Sequence, residues 1–173
     1  MSGQASSPLR VLYVEDDPAL RGILSTILRS RRDIEVVAAV GSSTEAFAAA
    51  SAQAIDVALL DLSLVDDPLT GIEIGIELRN LRPGIGIVLL SQHQVPGFLA
   101  RIDDQQREGW SYILKRADLQ PNYLSDVLHA TSRGLNIVDP QMMTTSRAGD
   151  AVLDQLSSRQ RAIMSLAAQG LDA

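Results

Sequence analysis

Leu9-Arg10-Val11-Leu12-Tyr13-Val14-Glu15-Asp16-Asp17-Pro18 decides how the rest of the chain is read. A mostly apolar run of strand length, rich in branched residues, breaks into three carboxylates and then a proline; such runs are typical of strands buried on both faces. Asp17-Pro18 makes a helix start, because an aspartate can accept the free N–H groups of a first turn and proline tolerates its first position. Leu20, Ile23, Leu24, Ile27 and Leu28 then recur at helical spacing, which predicts one apolar face. The unit is a strand followed by a helix, with acids at the joint.

Four more apolar runs of strand length follow, at 34–40, 57–60, 85–90 and 110–114, separated by segments of helical length. Ser42 and Glu45 have capping-box spacing ahead of an alanine-rich helix. Residues 71–78, Gly-Ile-Glu-Ile-Gly-Ile-Glu-Leu, alternate with period two and would pass alone for a strand, but their context favours a helix. A fifth helix is expected from Pro121, burying Leu124, Val127 and Leu128. Strands alternating with helix-length connections predict an α/β fold: a parallel sheet with right-handed crossovers and helices on both faces.

Composition narrows the chemistry. The 173 residues suit one domain with a tail, and 46% hydrophobic content suits a packed core. No apolar run nears the roughly 20 residues that span a bilayer, and the start is polar, so the reading is cytoplasmic with no membrane contact. With no cysteine and two isolated histidines, His93 and His129, any metal must be held by oxygen, which leaves magnesium, calcium or none. A net charge of -6 argues against general nucleic-acid binding. Lys115 is the single lysine among 15 basic residues.

In open parallel sheets ligands bind beyond the carboxyl ends of the strands. Glu15 and Asp16 follow the first strand there, and Asp61 closes the third. Three carboxylates in one crevice repel unless a cation compensates, and Mg2+ suits such a site because it takes one or two carboxylates together with phosphate oxygens. Asp61 can then be both metal ligand and nucleophile toward phosphorus. Ser91, ending the fourth strand, offers a hydroxyl, and Lys115, ending the fifth, a mobile charge. Singly, each is better read as a helix-start acid, a turn serine or a solvated lysine. Four such residues at the same end of four strands are poorly explained by coincidence.

Val11-Leu12-Tyr13-Val14-Glu15-Asp16-Asp17, Leu59-Leu60-Asp61-Leu62, Leu89-Leu90-Ser91 and Tyr112-Ile113-Leu114-Lys115 together resemble the receiver domain of two-component response regulators, over roughly residues 9–134. The resemblance implies a flavodoxin-like, doubly wound (βα)5 sheet in the order 2-1-3-4-5. It implies Mg2+ held by Asp16, Asp61 and the main-chain carbonyl of Ser63, with Glu15 acting through water. It also implies a sensor histidine kinase that phosphorylates Asp61, a phosphate then held by Ser91 and Lys115, and movement of Ser91 coupled to the rotamer of Tyr112. Such a domain is a phosphoacceptor rather than an enzyme, with weak autophosphatase activity at most. By the same analogy a face built from the fourth and fifth helices serves as a homodimer or partner surface.

Two stretches depart from the family pattern. After Asp61 the loop is about two residues longer and adds Asp66 and Asp67, which are expected either to oppose a phosphate dianion or to contact the metal. Gln92-His93-Gln94 replaces the small residue usual after Ser91. Residues 1–8 are read as a flexible N-terminus and 135–154 as a linker. Residues 155–173 resemble the opening of the LuxR/NarL-type helix-turn-helix domain, a C-terminal helical tail without the helix that would read DNA. The function expected is control of transcription by phosphorylation. The rival is a degenerate or stand-alone receiver that acts by protein contact alone. A phosphohydrolase with an aspartate nucleophile is disfavoured because Ser63 stands where such enzymes place a second aspartate. Nucleotide binding is disfavoured because no Gly-x-Gly-x-x-Gly follows the first strand.

Overall fold

Branched and aromatic residues build the strands β1 (Leu9–Val14), β2 (Ile34–Val40), β3 (Val57–Asp61), β4 (Gly86–Ser91) and β5 (Trp110–Leu114). The computed structural model describes residues 7–93, 97–116 and 119–139. All strand pairings are parallel and the order is β2-β1-β3-β4-β5, with one register shift between Val11 and Leu12 against β2. Every residue of β3, β4 and β5 is buried, as expected for strands covered on both faces.

The sheet divides the apolar side chains between two faces. Leu12, Leu60, Ile74, Leu78, Trp110 and Tyr112 belong to one core, and Val11, Leu28, Leu59, Leu124, Val127 and Leu128 to the other. Each fully buried leucine contributes about 1.5–3 kcal/mol. Helices α1 (Pro18–Arg29), α2 (Ser43–Ala52), α3 (Gly71–Leu81) and α4 (Pro121–Ser132) cover these faces. The Asp17 carboxylate caps α1 by accepting the Ala19 and Leu20 N–H groups, at 2.8 and 3.1 Å. In α1 the stripe is narrower than the sequence suggests: Leu28 and Ser25 are buried, whereas Ile23 is 60% exposed.

Residues 71–78 form a helix, and the glycines explain the misleading alternation. A Cβ at Gly71 would lie 2.4 Å from the Asp61 carbonyl oxygen, and one at Gly75 would lie 2.6 Å from the Trp110 ring. The two glycines let α3 lie close on β3 and β4, with the Trp110 ring of β5 against Gly75. Thr70 and Glu73 close a capping box at its start.

Between β4 and β5 the described residues hold two short 3₁₀ turns, Phe98–Arg101 and Asp104–Gln106, and no α-helix. The face expected from a fourth and fifth helix is therefore α4 flanked by turns. Arg79 of α3 supports this crossover, donating to the carbonyls of Ile85, Gln106, Glu108 and Gly109 at 2.5 to 3.0 Å. Its guanidinium also lies 5.8 Å from the Trp110 ring centre. Past α4 the chain turns at Gly134 and returns along the outer edge of β5. The Tyr112 N–H donates to Ile137 O at 2.7 Å, and the Asp139 N–H donates to Tyr112 O at 2.9 Å. Val138 and Asp139 are buried, and Asn136 accepts the Trp110 N–H at 3.1 Å. The opening residues of the stretch read as a linker thus extend the sheet. The remainder of that stretch, residues 1–6 and the helical tail at 155–173 lie outside the described residues.

Gly75→Ala forces a methyl group against the buried Trp110 ring and is expected to cost about 1–3 kcal/mol. Urea unfolding followed by emission of Trp110, the single tryptophan, reads both the loss of stability and the disturbed ring.

Candidate functional site

Because β1 and β3 are neighbours in register, with Val14 opposite Leu60, the next residues, Glu15 and Asp61, emerge side by side. Asp16 follows at the mouth of the crevice. One carboxylate oxygen from each of Glu15, Asp16 and Asp61 lies within 4.8 Å of the others. Glu15 is 1% and Asp61 6% exposed. Lys115 enters from the end of β5, its ammonium 2.7 Å from Glu15 Oε2 and 3.0 Å from Asp61 Oδ2.

Burial pushes the Glu15 carboxyl above its ordinary range; Lys115 opposes this and the charge of Asp61 adds to it. Burial works against the Lys115 ammonium, yet its two carboxylate partners hold its pKa above the usual lysine value. The Tyr13 hydroxyl donates to Glu15 Oε2 at 3.4 Å. Burial, then the Glu15 charge, drives its pKa far up, so it serves as a neutral donor.

From the α1 side Arg21 donates to the main-chain carbonyls of Glu15 and Asp16. The Val65 N–H donates to Asp16 Oδ2 at 2.8 Å, and the Ser63 N–H to Asp61 Oδ1 at 3.2 Å. Ser63, expected to offer a carbonyl to a metal, is thereby held beside the carboxylates. The converging side chains offer oxygen ligands and carry three negative charges against one ammonium. That donor set fits a hard divalent cation.

Ser91 and Tyr112 meet at a neighbouring point. The buried Ser91 hydroxyl donates to His93 O at 2.8 Å and accepts the His93 N–H at 3.2 Å. Tyr112, itself fully buried, donates to the same carbonyl at 2.5 Å. Here Ser91 is directed to the main chain, while Lys115 reaches Asp61. The sequence reading missed Arg21 and the His93 carbonyl, and it expected Asp67 to oppose a phosphate or contact the metal, whereas its two oxygens accept the Ser43 and Leu69 N–H groups. Asp67-Pro68-Leu69 carried a signal, since an aspartate commonly accepts the N–H two residues on. Nothing in the sequence pointed to Arg21 or to a main-chain oxygen.

A family model described as the response regulator receiver domain matches residues 11–122. The response regulator protein VraR of Staphylococcus aureus is 30% identical over 166 residues, covering 94% of this chain and 77% of VraR. Among solved structures, a LuxR-family two-component response regulator from Aurantimonas is similar at a TM-score of 0.66 and 24% identity, over 79% of this chain and 93% of that one. A DNA-binding response regulator of the LuxR family from Staphylococcus aureus is similar at a TM-score of 0.59 and 18% identity, over 72% of this chain and 98% of that one.

Lys115→Met removes the ammonium that opposes the effect of burial on Glu15, so the proton affinity of the Glu15 carboxyl rises further. A carboxyl whose pKa is higher folded than unfolded favours folding while protonated, and that stability is lost as pH rises through the raised value. Relative to the native chain, the variant is therefore expected to lose about 2 kcal/mol more at about pH 7.5 than at about pH 4.5. Urea midpoints at the two pH values check the sign.

Proposed function

The chain belongs to the response regulator receiver domain family, and from that premise we propose that Asp61 accepts a phosphoryl group from the phosphohistidine of a sensor kinase. The observation that carries this reading is Asp61 closing β3 beside Glu15 and Asp16, with the Lys115 ammonium 3.0 Å from its Oδ2. An Asp61 carboxylate oxygen forms a bond to phosphorus as the phosphorus–nitrogen bond breaks, and the electron pair stays on the imidazole nitrogen. Lys115 and the Ser63 N–H hold the two Asp61 oxygens apart in role, and the ammonium balances charge arriving on the phosphoryl group. Mg2+ suits the oxygen donors of Glu15, Asp16 and Asp61, to which the family resemblance adds the Ser63 carbonyl, and when bound would neutralise phosphoryl oxygens.

Ser91 and Tyr112 supply the reading of the phosphorylated state. Their hydroxyls share the His93 carbonyl. A Ser91 hydroxyl that turns to a phosphate oxygen releases that carbonyl to Tyr112 alone, so the position of the 91–93 turn registers phosphorylation. The output proposed is control of transcription through a C-terminal DNA-binding domain that residues 155–173 would begin, in a homodimer formed on the α4 side. DNA contact would belong to that C-terminal part. No helix among the described residues is long and apolar enough to cross a membrane. A receiver working in the cytoplasm beside its kinase is consistent with this.

Incubation with acetyl phosphate and Mg2+ is expected to add the mass of one phosphate to the native chain and none to Asp61→Asn, read by intact mass. Slow decay of the adduct would report autophosphatase activity. Native protein that gains no mass overturns phosphotransfer and selects the alternative, a receiver acting by protein contact alone. Tyr112→Phe is expected to keep the mass increase while losing the phosphorylation-dependent change in amide exchange at residues 91–93.

A further inference from the structure

Between β3 and α3 the chain is pinned at three places. The Val65 N–H donates to Asp16 Oδ2 at 2.8 Å. Two residues on, Asp67 Oδ2 accepts the N–H of Ser43, the opening residue of α2, at 2.7 Å, and Asp67 Oδ1 accepts the Leu69 N–H at 3.0 Å. Asp66 joins these anchors with φ at 62°, a left-handed turn that aspartate tolerates better than most residues. Both oxygens of Asp67 are thus spent on main-chain N–H groups, one at the start of α2 and one within the loop itself. Burial works against its ionised form, but the Ser43 and Leu69 N–H groups hold its pKa below the usual aspartate value.

We propose that Asp67 is a positioning residue for the cation site: by tying the β3–α3 loop to α2, it fixes the Val65 N–H that orients Asp16. The inference rests on the cation-binding part of the function proposed above. The Val65 N–H favours the Asp16 rotamer that groups one of its oxygens with those of Glu15 and Asp61, so Asp16 meets a cation partly oriented. Released from α2, the loop would present that N–H only part of the time. Asp66 and Asp67 carry equal charge on one loop, so their substitution separates position from charge.

Titration calorimetry of the full chain with Mg2+ tests this. Asp67→Ala is expected to weaken Mg2+ binding by roughly tenfold, the low end of what loss of a partner to a metal-ligating side chain costs. Asp67→Asn should fall between, because its amide oxygen still accepts one N–H. Asp66→Gly removes the same charge while keeping the left-handed turn, and should bind as the native chain does. In the metal-free protein, the Val65 amide should exchange faster in Asp67→Ala than in the native chain. Native-like affinity in a folded Asp67→Ala, or equal weakening in Asp66→Gly, overturns the proposal. If Asp67→Ala does not fold, unchanged affinity in Asp67→Asn overturns it. Native protein that binds Mg2+ but gains no phosphate would sink the phosphotransfer reading alone; native protein that binds no Mg2+ would sink the cation site itself.

Discussion

Glu15 and Asp61 are buried side by side because β1 and β3 are adjacent in the sheet, and two carboxylates so placed call for a cation. Lys115 meets part of that demand from two strands away. An open cleft would screen these charges; with Glu15 and Asp61 buried, each added or removed charge is felt by its neighbours. Strand order, the depth of the crevice and the choice of lysine at the end of β5 are all tied to this one electrostatic arrangement. A phosphoryl group arriving here would change the balance that holds Lys115 between its partners.

The packing that sustains the arrangement is close to main chain rather than rich in large side chains. Gly71 brings the start of α3 against the carbonyl of Asp61, so the helix and the acceptor strand are in direct backbone contact. Arg79, lower on the same helix, gathers three carbonyls of a crossover that holds no α-helix among its described residues, and a fourth at Ile85 just before β4. Burial lowers the pKa of its guanidinium, but arginine stays charged far beyond physiological pH. Arg82 does similar work at the end of α2, donating to Ala50 O at 3.0 Å.

Much of this was legible from residue types. Strand positions followed from short branched runs, and the strand order came with the family resemblance. The carboxylate cluster followed from acids at the ends of neighbouring strands, because strand-end position is a topological property that sequence can carry. One feature was legible only from context and two were not legible, for physical reasons. Residues 71–78 alternate with a strand-like period because Gly71 and Gly75 replace apolar side chains on the buried face, so their helix followed from context; the Thr70–Glu73 capping box was the local evidence for it. The Phe98–Arg101 and Asp104–Gln106 turns fill a gap long enough for a helix, and length alone does not distinguish the two. Contacts to carbonyls, as at His93 and from Arg21, have no residue-type signature at the acceptor.

The return of the chain along β5 has a mechanical consequence. Ile137 and Asp139 bracket the backbone of Tyr112 with parallel hydrogen bonds, and Asp139 also faces Arg116 at 3.4 Å, one residue beyond Lys115. A pull on the chain beyond Asp139 would load those bonds together, in shear, before any of them could peel away singly. Tension from the C-terminal side would thus be delivered to the strand that ends beside the acidic crevice, and a displacement of that strand would be felt as slack or strain at the exit.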